Sequence, residues 1–429
     1  MAHRNRFLLS GIASAAVTAN ALRPVNRFGP GGLTAWAHGL FVSEFPLHTI
    51  GIQAVIGALA ARGGGLRGAR GSAGLGLTAA SMAGLWRLRR ESVESEDVLE
   101  RALVEGLGAD YRQRITEPFS PRPSPLLTRR LVLLPDLRAR RRYVAEDHRD
   151  VPYGEYGRRN HLDIWRRTDL ADDAGAPVLV QVHGGAWVSG EKRGQGETLM
   201  SHLAERGWVC VAINYRLSPR STWPDHIVDV KRAIAWTKAN IGRYGGDPGF
   251  VAVTGGSAGG HLSALAALTP HVAAFQPGFE EADLRVQAAV PFYGVYDFTN
   301  RHGIPWRSLE PFLASRVLKT PLSEGRDVWE QASPLTHVGA HAPPFFVLHG
   351  TNDTVVPVQQ ARAFARELRS AAERPVVFAE LPRAQHAFEV LPSLRARHAA
   401  AAVERFLAVV RSEHGGATPV EAAATAHTS

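Results

Sequence analysis

The sequence contains a single cysteine, Cys210, among 429 residues. One cysteine cannot form a disulfide within the chain and cannot supply a cysteine-cluster metal site. Lysine is also scarce, with 4 Lys against 45 Arg. Because Ala and Gly are abundant as well, we interpret this imbalance as the coding bias of a GC-rich genome and not as a designed guanidinium surface.

Acidic residues are scarce only in the first third of the chain. Residues 1–142 hold 20 Arg, no Lys and 10 Asp or Glu, whereas residues 143–429 hold 29 basic and 30 acidic residues. The net charge of +9 is therefore a property of the N-terminal third. Hydrophobic residues make up 45 % of the chain, which is enough core for one large or two medium domains and excludes a wholly disordered chain.

No long hydrophobic run is present in this basic region. Four stretches lack charged residues, but none reaches the ~18–20 apolar residues of a confident membrane-spanning helix; they are Phe7–Leu22, Phe28–Ser43, Phe45–Ala61 and Gly71–Trp86. We predict that residues 1–140 form a helical region whose helices lie on a membrane, which favours a membrane-associated or cell-envelope location. The alternative is an accessory subdomain that packs against the rest of a cytoplasmic protein.

Two basic segments leave further alternatives open. His3–Arg6 precedes an apolar stretch and the small residues Ala19–Ala21, a pattern that a cleaved secretory signal also shows. Arg138–Arg142 follows a proline-rich segment, Pro118–Pro125, and is either a solvated linker edge or a contact for anionic lipid. Before these prolines, Glu91–Asp110 has the apolar spacing of an amphipathic helix.

From Tyr143 onward, β-branched runs alternate with helical patterns, which predicts an α/β fold: a mostly parallel sheet with helices on both faces. The catalytic domain is expected over residues 141–413, and the Ala/Thr-rich residues 414–429 are expected to be a disordered tail. The predicted strands are His161–Trp165, Pro177–Val182, Trp208–Tyr215, Phe250–Thr254, Val286–Phe292, Phe345–His349 and Pro375–Leu381. The predicted helices are Ile227–Ile241, Ser257–Leu268, Val358–Ala372 and Leu391–Val410.

Gly255–Gly259 is a G-x-S-x-G motif between a predicted strand and a predicted helix. Small residues on both sides of a serine allow a sharp strand-to-helix turn that exposes the hydroxyl, so Ser257 is the candidate nucleophile. The same pattern also occurs at a glycine-rich helix start with a capping serine.

His183–Trp187 follows the predicted strand Pro177–Val182 and contains two glycines. Backbone amides in a glycine-rich turn can donate to the oxygen that becomes negative during acyl transfer. We therefore expect the amides of Gly184, Gly185 and Ala258 to form an oxyanion hole. The alternative is an ordinary strand-to-loop turn.

The nucleophile needs an orienting acid and a histidine base, and in hydrolases with such a turn the chain order is serine, then acid, then histidine. His386 comes directly after the last predicted strand, and Asp353 comes after the strand Phe345–His349. Both lie where a parallel sheet places its site, at carboxyl ends of strands. Asp297 is the rival acid, with loop structure as its alternative role.

Taken in order, HGGAW, GGSAGG, HGTNDTVVP and QHAF resemble the motifs of the α/β-hydrolase fold. Within that fold the chain is similar, over roughly residues 143–410, to bacterial esterases related to hormone-sensitive lipase, notably an actinobacterial group with an extra N-terminal region. The resemblance implies a Ser257–Asp353–His386 triad. Two positions depart from the pattern: Gly256 where the family often has Asp, and Ala186 where it often has a third Gly.

The segment between two predicted core strands, residues 298–332, is too long for a simple loop. It contains several large apolar residues, and we predict a helix over Trp306–Leu318 in a cap above the site. An apolar cap favours acyl or aryl ester substrates and excludes water.

The sequence thus predicts a serine carboxylesterase or lipase for short- to medium-chain acyl esters, whose substrate is a small molecule or a lipid. An arylformamidase-like amidase with the same triad is the alternative, and a non-catalytic receptor is a further one. The mechanism needs no cofactor and no metal. Gly63–Gly68 fits G-x-G-x-x-G but follows no strand, so neither a dinucleotide nor nucleic acid is expected as a partner. The oligomeric state stays open.

Overall fold

The computed structural model describes residues 2–24, 28, 31–116 and 139–416. The proline-rich segment, Arg138 and residues 417–429 of the expected tail lie outside the described residues. The helices are α1 (Ala2–Leu22), α2 (Gly32–Glu44), α3 (Pro46–Arg62), α4 (Gly68–Leu107), α5 (Ala139–Tyr143), α6 (Glu197–Glu205), α7 (Asp225–Asn240), α8 (Ala258–Leu268), α9 (Leu309–Phe312), α10 (Arg326–Gln331), α11 (Val358–Ala371) and α12 (Leu394–Gly416). Because α12 ends at Gly416, residues 414–416 are helical, and the predicted tail boundary was wrong by three residues.

Eight strands form one sheet, in the order β1-β2-β4-β3-β5-β6-β7-β8. They are β1 (Val151–Pro152), β2 (His161–Trp165), β3 (Ala176–Val182), β4 (Val209–Ile213), β5 (Gly246–Gly256), β6 (Ala288–Phe292), β7 (Phe345–Gly350) and β8 (Val376–Leu381). β2 pairs antiparallel with both of its neighbours, β1 and β4, and all other neighbouring strands pair parallel. The predicted fold class is confirmed: a mostly parallel sheet, with helices on both faces and a helical N-terminal region.

The sheet separates two hydrophobic cores, because neighbouring residues of a strand point to opposite faces. Val178, Val180 and Val182 of β3 belong to the core on one face, whereas Leu179 belongs to the core on the other. Strands buried on both faces read as continuous apolar runs, which is why the sequence pattern located them.

Helix α4 joins the N-terminal helices to this sheet. Its 40 residues span about 60 Å at 1.5 Å per residue. The uncharged stretch Gly71–Trp86 and most of the predicted helix Glu91–Asp110 belong to this one helix, which ends at Leu107 and not at Asp110. Near its end, Gly106 permits close packing on the edge strand, since a side chain there would approach Val377 Cγ2 to 2.7 Å. The N-terminal region is thereby held against the catalytic domain.

The insertion before β7 is only partly helical as predicted. Helix α9 begins at Leu309, not at Trp306, and continues as a π-helical turn over Leu313–Val317.

In the part of the chain that the structure describes, no single helix is long and apolar enough to cross a membrane. The pair α2 and α3 reaches that length and composition only together, with a bend of 91° between them.

A buried ion pair fixes α2 to the catalytic domain. The Glu44 carboxylate pairs with the Arg395 guanidinium, and both side chains are fully buried. Ser393 Oγ donates to Glu44 Oε2 at 2.7 Å. A buried charge that loses its partner is strongly destabilising, so this contact makes docking of the N-terminal region part of the folded state.

We expect Glu44→Gln to lower the free energy of unfolding by about 3–5 kcal/mol, because the buried Arg395 charge is left uncompensated. Urea unfolding measures the change. Glu94→Gln is the matched control: its pair with Arg90 is mostly exposed, at 70 % and 52 % for the two side chains, so it should change stability by less than about 0.5 kcal/mol. Equal effects of both variants would contradict the docking.

Candidate active site

Ser257 lies in a sharp turn between β5 and α8. Its backbone has φ 58° and ψ −119°, a conformation that a residue with a side chain rarely adopts. The Ser257 amide donates to Phe292 O at 3.0 Å, and the Ser257 carbonyl accepts from the His261 amide at 2.9 Å. The turn is thus held by β6 on one side and by its own helix on the other, with the serine side chain at the carboxyl edge of the sheet.

Asp353 and His386 are brought together by the loops after β7 and β8. His386 Nδ1 and Asp353 Oδ2 form a hydrogen bond of 2.7 Å, and both side chains are buried. The rival acid, Asp297, instead accepts from the amides of Thr299 and Arg301 within its own loop, at 3.0 and 2.6 Å. The geometry therefore favours Asp353 as the partner of His386.

Asp353 has further partners that sequence reasoning missed. Its Oδ1 accepts from the amides of Val355 and Val356, each at 2.8 Å, and its Oδ2 lies 3.2 Å from His349 Nε2. Burial alone would raise the pKa of the Asp353 carboxyl, but His386 and His349 hold that pKa well below its ordinary value. The carboxylate consequently stays charged and fixed in orientation.

Ser257 and His386 line the same cavity of about 570 Å³, together with Gly184, Gly185 and Ala186. A second cavity of about 350 Å³ also reaches Ser257. Its walls are mostly apolar and come from three parts of the chain; they include Phe28, Trp187, Val295, Trp306, Leu309 and Phe312. The insertion thus supplies an apolar wall beside the serine, as a cap would.

The expected oxyanion amides are not equivalent. The Gly184 amide donates to Gln195 Oε1 at 2.7 Å, so in this arrangement it is not free to bind an oxyanion. This corrects the expectation for Gly184. Within the described residues, the amides of Gly185 and Ala186 have no such internal acceptor, and both residues line the cavity. Ala258 begins α8 directly after the serine, where a first-turn amide has no partner within its helix.

A tyrosine–glutamate pair lies behind the histidine. The Tyr293 ring centroid is 4.6 Å from that of His386, and Tyr293 Oη donates to Glu389 Oε2. A side chain at Gly256 would approach Tyr293 Oη to 2.5 Å. The departure at Gly256 therefore has a physical reason: Tyr293 fills the space that an aspartate would need.

Across residues 2–24, 28, 31–116 and 139–416, no group of three or more His, Cys, Asp or Glu side chains is placed to hold a metal ion. The cavity combines a serine, an imidazole paired with a carboxylate, and a glycine-rich loop. Such a set performs nucleophilic acyl transfer.

These features define an α/β-hydrolase: a mostly parallel sheet, a serine in a strand–turn–helix, and an Asp–His pair in the loops after later strands. Comparison with known proteins agrees. The BD-FAE family matches residues 162–368. A truncated carbohydrate esterase from gut microbiota has a TM-score of 0.51 at 24 % identity, covering 61 % of this chain and 99 % of that chain, which shows the fold alone.

Relatives of known sequence extend the similarity to the N-terminal region. The chain is 52 % identical over 427 residues to the probable carboxylic ester hydrolase LipM of Mycobacterium tuberculosis, covering 97 % of this chain and 96 % of LipM. It is 49 % identical to the esterase LipQ of the same organism, covering 75 % and 76 % of the two chains. The chain belongs to this family of carboxylic ester hydrolases and acts on ester bonds.

The Glu389 carboxyl should make stability depend on pH. Burial raises the pKa of Glu389 to about 7 from an ordinary 4.5. A carboxyl whose pKa is raised by folding stabilises the protein below its unfolded pKa, and this stabilisation is lost as pH rises through the folded pKa. Relative to Glu389→Gln, the wild type should therefore lose roughly 3 kcal/mol of unfolding free energy between pH 4 and pH 8.

Unfolding in urea at several pH values tests this. Glu324→Gln, at an exposed position, is the control and should follow the wild type. If wild type and Glu389→Gln had parallel profiles, Glu389 would titrate normally and the prediction would be wrong.

Proposed function

We propose that this esterase uses Ser257 as nucleophile, His386 as base and Asp353 as the acid that orients His386. The observation that carries the proposal is the 2.7 Å hydrogen bond between His386 and Asp353 beside a cavity that Ser257 also lines. The low pKa of Asp353 supports it, because a permanently charged carboxylate holds the Nδ1 proton of the imidazole and stabilises the imidazolium.

The reaction proceeds in two halves. His386 Nε2 takes the proton of Ser257 Oγ as this oxygen attacks the ester carbonyl, and it returns the proton to the departing alkoxide. Water then attacks the acyl-enzyme, again with His386 as base, and releases the carboxylic acid and Ser257. The amides of Gly185, Ala186 and Ala258 stabilise the oxyanion of both tetrahedral intermediates.

The substrates are esters of short- to medium-chain acyl groups. The apolar walls of the second cavity, including Trp306, Leu309 and Phe312, favour an aliphatic or aryl group beside Ser257. The relatives are named as ester hydrolases, and no observation favours hydrolysis of amides.

Ser257→Ala should reduce kcat on p-nitrophenyl esters by at least about 10⁴-fold, because the other serine that lines the larger cavity, Ser189, donates its hydroxyl to Gly185 O. The wild type is assayed across acyl lengths from acetyl to palmitoyl. Ser370→Ala, on the exposed face of α11, is the control and should keep wild-type rates. Turnover by Ser257→Ala at the wild-type rate would overturn the nucleophile assignment.

The N-terminal helices further support association with a membrane surface. Among the described residues, large hydrophobic side chains that are more than about a third exposed all lie in α1–α4, apart from Tyr156. We call one set of them the apolar face: Leu9, Ile12, Leu47, Ile52, Val55, Ile56, Leu59 and Leu75. An exposed apolar surface of this kind is typical of a lipid or protein contact.

The interior of the same helices contains small and hydrogen-bonding residues beside an apolar cluster of Ala21, Val42, Leu85 and Leu88. Thr18 Oγ1 and Ser81 Oγ are 2.8 Å apart, and Gln53 Nε2 donates to Ser81 Oγ at 2.9 Å. A side chain at Gly11 would approach Gly74 O to 2.7 Å, so α1 and α4 pack closely. Small and hydrogen-bonding residues inside, with aliphatic residues outside, are typical of helices that meet lipid.

Exposed arginines accompany the apolar face. Arg4, Arg62, Arg67 and Arg70 lie on the chain segments that begin α1, end α3 and begin α4. The Gly63 and Gly68 positions adjoin His3 and Arg4, so these segments meet at one end of the helices. Aliphatic side chains bordered by cations suit a membrane that contains anionic lipid, and this proposal favours a membrane or cell-envelope location.

We expect the full-length protein to sediment with vesicles that contain phosphatidylglycerol, more than with phosphatidylcholine vesicles. Val55→Glu combined with Leu59→Glu should reduce binding at least about tenfold, since each charge opposes entry into lipid. Tyr156→Glu alters the exposed aromatic of the catalytic domain and should bind as the wild type does. Unchanged binding by the double variant would contradict the proposed surface.

A further inference from the structure

We propose that helix α2 of the N-terminal region is part of the active site: one face forms a wall for the substrate acyl chain, and Trp36 is a positioning residue for His386. The proposal rests on the proposed function, in which His386 is the base. It assigns a role in the reaction to a helix that ends at Glu44, far ahead of the catalytic domain in the sequence.

One face of α2 points into the cavity at Ser257. Leu33, Trp36 and Leu40 line the 570 Å³ cavity, and the spacing of three and four residues puts them on one side of a helix. Leu33 also lines the 350 Å³ cavity. It therefore lines both of the cavities that reach Ser257, and an acyl chain bound in the larger cavity would lie against this side of α2.

The opposite side of α2 is fixed against the histidine loop. Ala35, Gly39 and Val42 are buried, and a side chain at Gly39 would approach Gln385 Nε2 to 3.2 Å. Gln385 directly precedes His386, and its Oε1 accepts from the Thr354 amide at 3.3 Å. The helix is thus packed against the residue that links the histidine loop to the acid loop.

Trp36 reaches the histidine itself. Its indole Nε1 donates to the His386 carbonyl oxygen at 2.7 Å. The carbonyl belongs to the residue whose imidazole must point at Ser257, so the indole fixes the backbone from which that side chain extends. A displacement of about 1 Å at a reacting group costs up to about a hundredfold in rate.

The acid loop is held by the same region. Thr354 Oγ1 donates to Gly32 O at 2.9 Å, and Asn352 Nδ2 donates to Ala21 O at 2.9 Å. Arg383, three residues before His386, donates from Nε to Leu22 O at 3.1 Å. Both loops that carry the Asp–His pair therefore use carbonyls of α1 and α2 as acceptors, in addition to the indole bond.

The positioning role is tested by Trp36→Phe, which removes the indole N–H and keeps an aromatic ring. On p-nitrophenyl acetate, whose chain is too short to depend on the wall, kcat should fall about tenfold while KM changes less than twofold. Trp86→Phe, at a tryptophan 58 % exposed on α4, should keep wild-type values. If Trp36→Phe matched Trp86→Phe, the positioning role would be refuted.

The wall is tested by Leu40→Trp, which fills part of the larger cavity. The ratio of kcat/KM for the decanoyl ester to that for the acetyl ester should fall at least tenfold. Val93→Trp places the same side chain on a partly exposed position of α4 that lines neither cavity, and it should keep the wild-type ratio. An unchanged ratio in Leu40→Trp would overturn the wall assignment, whether or not Trp36→Phe folds.

Failure of the proposed function would give a different result. If Ser257→Ala kept its turnover, the nucleophile would be wrong. The comparison of Leu40→Trp with Val93→Trp would still decide the role of α2, because it measures chain-length selectivity and not which residue attacks. Equal unfolding midpoints of the compared variants exclude a general loss of structure.

Discussion

The arrangement of the site depends on one close backbone contact, where the first turn of α8 lies against the ends of neighbouring strands. A side chain at Gly259 would overlap the carbonyl oxygen of Val182, the last residue of β3. Because glycine stands there, the Ser257 turn lies directly beside the loop that follows β3, and Gly184, Gly185 and Ala186 of that loop line the same cavity as the serine. On the other side, Gly256 leaves room for Tyr293, which packs on His386. The close packing at this turn thus places three parts of the site next to each other: the nucleophile, the candidate oxyanion amides, and Tyr293, which packs on the base His386.

The catalytic domain was predictable because its signals are local. Buried parallel strands have continuous apolar runs, and the chemical motifs directly follow them, so the order of strands and loops could be read without knowing any long-range contact. Strand ends were less accurate. β5 begins at Gly246 and not at Phe250, since Gly246 pairs with Ala176 beyond an irregularity in the register. Strand ends depend on the pairing partner, which the sequence of the strand itself does not reveal.

The parts of the site that were missed all depend on tertiary contacts. Gly184 was expected to bind the oxyanion because it has the right motif, but Gln195 folds back onto its amide. His349 is the penultimate residue of the buried strand β7, and nothing in its sequence surroundings indicates a contact with Asp353. Trp36 is one apolar residue in an uncharged stretch, and its bond to His386 joins positions 350 residues apart. The spacing of Trp36 and Leu40 could have indicated that they share one face of a helix. It could not have indicated what that face contacts.

From the sequence, the N-terminal region was expected either to lie on a membrane or to pack against the rest of the protein. These two roles exclude each other only if the same helix surface has to make both contacts. Helix α2 uses its faces for the site and for Gln385, whereas α3 exposes aliphatic side chains such as Val55 and Leu59. The 91° bend between the two helices separates these surfaces, and the buried Glu44–Arg395 pair holds α2 in place next to the bend. A lipid contact at α3 would therefore lie one rigidly held helix away from Leu33, which lines both cavities. Under the proposed membrane contact, the wall of the site and the lipid-facing surface would belong to the consecutive helices α2 and α3.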